Sequence, residues 1–128
     1  MVGIVIVSHS ADIAAGTAAL AAQMAGDEVH IEVAGGAPDG GLGTDGALVE
    51  AAIAAADQGD GAIVLGDLGS AILTARHVLD GHVSNGSVRL VDAPLVEGAV
   101  AAAVVSSAGR PLDEVVSAAE EARAIPKL

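Results

Sequence analysis

Gly3-Ile4-Val5-Ile6-Val7-Ser8-His9-Ser10 is the stretch on which the fold turns. A continuous β-branched run of this kind reads as a strand buried on both faces, and a polar triplet closes it. Residues 11–25 follow as an alanine-rich segment with Ile13, Thr17, Leu20 and Met24 at helical spacing, and Ser10 is its expected N-cap. The same order of strand, loop and helix then returns along the chain. A second strand is expected near Glu28 to Val33, and a glycine-rich loop from Gly35 to Gly43 leads to Thr44, the expected cap of a helix reaching about Gln58 and closed by Gly59-Asp60-Gly61. Ala62-Ile63-Val64-Leu65 makes a third strand, Gly66-Asp67-Leu68-Gly69-Ser70 the loop after it, and a helix continues to about Leu79. Val88 to Val91 is the fourth strand. Leu95 to Ala108 and Leu112 to Arg123 read as two closing helices, with Pro111 at the first helical position of the second, Asp113 and Glu114 in its first turn, and Pro126 as its stop.

Strands that alternate with helices call for parallel pairing through crossover connections. The expected class is therefore α/β: a doubly wound, mainly parallel four-stranded sheet with helices on both faces. The 128 residues suit one domain spanning 1–128, large enough for a continuous core without covalent staples.

Composition removes several classes of function. With no cysteine there are no disulfides, thiolate metal sites or thiol catalysis, and a reducing cytoplasm is the natural expectation. Met1 to Val7 has no basic leader and is too short to span a bilayer. There is no Phe, Trp or Tyr, and 17 acidic residues face 5 basic ones for a net charge of -12. The chain thus lacks a stacking platform for bases and repels both nucleic acid and anionic lipid. The acidity fits either a salt-rich cytoplasm or simple solubility.

In a doubly wound sheet the crevice opens at the carboxyl ends of the strands where the winding reverses. With the first and third strands adjacent, the loops Ser8-His9-Ser10 and Gly66-Asp67-Leu68-Gly69-Ser70 meet there. They bring a nucleophilic imidazole and a carboxylate to one place, and each opens a helix whose free N–H groups suit an anion. Such a pair points to phosphate chemistry, although a histidine or aspartate at a strand end also serves as an ordinary helix cap. The other histidines carry less. His30 reads as a residue of the second strand, and His77 and His82 are five apart, off the spacing that puts two ligands on one helical face, so no metal site is expected. The glycine-rich loop follows the second strand and lacks a Gly-Lys-Ser or Gly-Lys-Thr, which argues against a nucleotide fingerprint. Glu97 reads as a helix-dipole residue.

Four ordered loop motifs carry a resemblance. Val7-Ser8-His9-Ser10, Gly35-Gly36 with Leu42-Gly43-Thr44, Gly66-Asp67-Leu68-Gly69-Ser70, and Ala93-Pro94-Leu95-Val96-Glu97-Gly98 together resemble the phosphotransfer (M) subunits of phosphoenolpyruvate-dependent dihydroxyacetone kinase, which are similar to mannose-type IIA domains of the sugar phosphotransferase system. The resemblance covers essentially the whole chain. It implies that His9 is phosphorylated, that Asp67 is its hydrogen-bonding partner, and that Ser10, Gly69 and Ser70 hold the phosphate. It further implies that Gly35, Gly36, Gly43 and Thr44 form a partner-contact loop and mark the kinase subunit rather than a sugar transporter. Implied partners are the phosphocarrier HPr as donor, the kinase L subunit with ADP as acceptor, the K subunit through the complex, and a second copy in a homodimer. No cofactor is implied. Because the chain stops at Leu128, without the carrier domains some members append, a separate upstream donor is expected.

Three rivals share the architecture. A flavodoxin-like module would normally offer aromatic rings to its flavin, and this chain has none. A response-regulator receiver needs acidic residues after the first strand, where Ser8-His9-Ser10 stands. A sugar-transporting IIA domain has the same imidazole chemistry and differs in its acceptor.

Overall fold

The computed structural model of the chain describes residues 1–82 and 86–128. Strand β1 (Gly3–Ser8) leads to helix α1 (Ala11–Ala25), β2 (Ile31–Gly35), α2 (Gly46–Ala56), β3 (Ala62–Gly66), α3 (Gly69–Asp80), β4 (Val88–Leu90), α4 (Leu95–Ser107) and α5 (Leu112–Glu121), with a 3-10 turn over Ala122–Ala124. The sheet runs β2-β1-β3-β4 and every pairing is parallel. Ile4 lies opposite Ile31 on one side and Ile63 on the other.

Side-chain alternation along the central strands divides the core in two. Ile4, Ile6, Ile63 and Leu65 pack with α1, α4 and α5, whereas Val5, Val7 and Val64 pack with α2 and α3. Helices thus cover both faces, and the reversal of winding falls between β1 and β3. Without aromatic rings, the core closes by bringing backbones near one another: Ala14, Ala21, Ala99, Ala102, Ala103 and Ala119 are fully buried on the first face. At Gly3 a Cβ would fall 2.1 Å from the Ala56 carbonyl oxygen, so only glycine fits.

Several expectations change. The α1 face that packs is Ala14, Thr17 and Ala21, while Ile13, Leu20 and Met24 are exposed. Small residues are chosen at the contact because α1 lies close to both the sheet and α4, and large apolar residues at nearby positions mislead the eye. β2 begins at Ile31 rather than Glu28, since the chain leaves α1 at Gly26 (φ +88°) and turns before pairing, and it continues to Gly35 opposite Ser8. His30 therefore precedes the strand and is exposed. Asp45, not Thr44, caps α2: its carboxylate accepts from the Ala47 amide at 3.2 Å, and the helix ends at Ala56 with Asp57 as C-cap, short of Gln58. Pro111 occupies the N-cap of α5 in extended conformation instead of the first helical position, and α5 tightens to a 3-10 turn after Glu121. β4 is shorter than Val88–Val91 by one residue, and His82 lies beyond the end of α3.

Candidate active site

His9 and Asp67 stand on the two loops that flank the winding reversal, and the fold brings them into contact. His9 Nδ1 lies 3.0 Å from Asp67 Oδ1. The other carboxylate oxygen, Oδ2, accepts from the His9 backbone amide at 3.1 Å and from the Ser8 hydroxyl at 2.7 Å, and the Leu68 amide donates to Oδ1 at 2.7 Å. Burial opposes ionisation of Asp67, but the hydrogen bonds from Ser8, the His9 ring and the two amides outweigh it and hold its carboxyl below the usual carboxylate range. A carboxylate on Nδ1 favours the tautomer with the proton there, which leaves the lone pair on Nε2.

Nε2 points at α3. The Ser70 hydroxyl is hydrogen-bonded to it. Among the described residues no side chain caps this helix, whose N-cap position is Leu68, and the amides of Gly69 and Ser70 in its first turn have no hydrogen-bond partner. An anion attached to Nε2 would sit against the positive end of a helix. Ser10, the third residue expected to bind phosphate, is engaged elsewhere: its hydroxyl accepts from the Ile13 amide at 3.3 Å, as the N-cap of α1.

The glycine-rich loop lies behind His9. The Gly36 amide donates to the Ser8 carbonyl at 3.1 Å and the Gly43 amide to the His9 carbonyl at 2.9 Å. Gly36, at φ +76°, pairs through an isolated bridge with Thr44, whose hydroxyl is buried without a hydrogen-bond partner among the described residues. At Gly35 a Cβ would fall 2.8 Å from the Ala14 Cβ and 2.9 Å from the Ala11 Cα, so the loop approaches the start of α1 only through glycine. What faces outward is Leu42, at 81% exposure.

Ser8 was expected in this loop but without a role of its own in the site. It is fully buried, donates to Asp67 and accepts from the Ser10 amide at 3.0 Å, fixing loop and carboxylate together. A hydroxyl ending an otherwise apolar buried strand was the signal. His77 lies in the last turn of α3 and His82 beyond its end, neither in the first turn that faces His9, and Glu97, in the first turn of α4, is paired with Lys127 at 2.8 Å.

Residues 3–116 match the family model EIIA-man, described as the PTS system fructose IIA component. The chain belongs to the EIIA-man family. Among curated EIIA-man relatives, the phosphoryl donor subunit DhaM of PEP-dependent dihydroxyacetone kinase 2 from Listeria innocua is 42% identical over 83% of this chain and 86% of its own length. The corresponding DhaM subunit of Pantoea ananatis is 46% identical over 97% of this chain, which spans only 27% of that longer protein. A crystal structure of the protein of unknown function EF1359 superposes with a TM-score of 0.84 at 35% identity, covering 94% of this chain and 95% of that one. No helix among the described residues is long and apolar enough to cross a membrane.

Proposed function

We propose that this EIIA-man chain is the phosphoryl-carrying subunit of a PEP-dependent dihydroxyacetone kinase, with His9 as the carrier residue and residues 1–128 acting as one IIA-type unit in the cytoplasm. The observation that supports this reading best is the polarity of the His9 ring: Nδ1 is held by Asp67, and Nε2 faces Ser70 and the uncapped start of α3. The relatives named as DhaM supply the kinase assignment.

In loading, the Nε2 lone pair attacks the phosphorus of phosphohistidine on HPr. A new N–P bond forms as the donor N–P bond breaks, and the bonding pair returns to the donor imidazole. The proton on Nδ1 stays where it is, shared with Asp67, which offsets the positive charge that develops on the ring. The equatorial oxygens of the phosphoryl group meet the amides of Gly69 and Ser70 and the Ser70 hydroxyl, which moves aside from Nε2. In discharge, a β-phosphate oxygen of ADP held by the L subunit attacks the same phosphorus, the N–P bond breaks with its pair returning to Nε2, and ATP is formed in place on the L subunit. The K subunit and dihydroxyacetone lie downstream of this step.

A sugar-transporting role is the second reading, favoured by the description of the family model as a fructose IIA component. The two readings differ in the acceptor. Phosphorylated protein mixed with ADP-loaded L subunit should lose its label and yield ATP; retention of label there, with transfer to a sugar permease domain instead, would overturn the kinase assignment.

A further inference from the structure

Ser70, Leu73 and Arg76 recur at three-residue spacing along α3, so each is the neighbour of the next on the helix surface. The row starts at the hydroxyl against His9 Nε2 and ends about 9 Å along the helix axis. Leu73 is 65% exposed and Leu68, at the N-cap of the same helix, 63% exposed, so both add apolar surface to the helix whose first turn carries Ser70 against His9 Nε2.

Arg76 stands apart among the basic residues. Arg89 is bridged to Asp113, Arg110 to Glu114, Arg123 to Asp92 and Lys127 to Glu97, whereas Arg76 has no carboxylate partner among the described residues. It borders an open cavity of about 520 Å³ between α3 and the edge strand β4, walled by Ile72, Leu79 and Leu90. Two carboxylates share that cavity, but Asp92 is already committed to Arg123, and Asp80 makes no ion pair with Arg76. The active-site helix therefore presents, one turn beyond exposed Leu73, a cation without an ion pair among the described residues.

The net charge of -12 already draws any basic donor by long-range attraction, with no need of a local cation. An acceptor that delivers a nucleoside diphosphate has the opposite problem, since it carries negative charge toward an acidic surface. We propose that Leu68, Leu73 and Arg76 form the seat of the nucleotide-bearing acceptor, with the leucines meeting an apolar patch beside its nucleotide and Arg76 meeting a carboxylate at the rim of that patch. This inference rests on the proposed function and adds that loading and discharge use the crevice rim differently: the arginine serves discharge alone.

The two half-reactions separate these claims. Loading is followed with labelled phospho-HPr, and discharge with pre-loaded protein, ADP and increasing L subunit. Arg76→Glu should raise the L-subunit concentration for half-maximal discharge on the order of tenfold at low ionic strength, with the gap from the wild type narrowing as salt screens the charges, while loading stays within about twofold of the wild type. Leu73→Asp should impair discharge in the same direction. Discharge of the Arg76→Glu protein at wild-type concentrations of L subunit would overturn the inference, as would an equal loss in both half-reactions. Failure of the wild-type protein to discharge to ADP-loaded L subunit would instead remove the proposed function, and the inference with it.

Discussion

Asp67 has to remain a carboxylate in a site that partly excludes water, and four donors make this possible. Because it orients the ring instead of filling the core, Asp67→Ala should slow loading of His9 on the order of a hundredfold in a quench-flow assay while the circular dichroism spectrum is unchanged. Native-rate loading of that variant would contradict the pairing. A pH dependence follows from the same bonds. The folded-state pKa lies below the ordinary value of 3.8, so the unfolded chain binds more protons on acidification, and stability rises with pH through that range. The contribution of Asp67 is fully present above the unfolded value and is lost as pH falls from there through the lower folded value. Asp67→Asn should therefore flatten the acid limb of a Tm-against-pH curve below about pH 4; an unchanged limb would mean that the carboxylate contributes nothing when ionised. His9 and Asp67 were legible as a pair because each ends a strand beside the winding reversal. Ser8 was placed in the same loop, but its bond to Asp67 was not legible, since sequence spacing says nothing of what a hydroxyl meets.

At the scale of elements, apolar runs and glycine punctuation marked β1 and β3 closely, because strands buried on both faces have little freedom in where they begin and end. Amphipathic reasoning failed on α1, where close packing selects alanine at the interface and leaves Ile13, Leu20 and Met24 outside. The start of α2 was misplaced by one residue, since Thr44 and Asp45 are both good caps and only three-dimensional context decides between them. Thr44 bridges Gly36 and buries its hydroxyl, leaving Asp45 to meet Ala47. Asp45→Ala should then cost about 1 kcal/mol in urea denaturation, a typical cap loss. Thr44→Val replaces a buried hydroxyl that has no partner among the described residues with a methyl group of similar shape and should be neutral or slightly stabilising. Loss of stability in the Thr44 variant alone would restore the original assignment of the cap.

For the whole molecule, four parallel strands leave β2 and β4 as edges, and exposed edges invite pairing. We expect a homodimer. At a net charge of -12 like copies repel, so sedimentation equilibrium should show a greater dimer fraction in 0.5 M salt than at low ionic strength; a monomer at every salt and protein concentration would contradict this. Four loop motifs distributed from Val7 to Gly98 made the family legible over most of the chain, while the acceptor and the docking surface depend on side chains that no spacing rule arranges. Incubation with phosphoenolpyruvate, enzyme I and HPr should place one acid-labile, base-stable phosphoryl group on each chain, and the His9→Gln protein, folded as the wild type, should take up none. Undiminished labelling of His9→Gln would contradict the central claim.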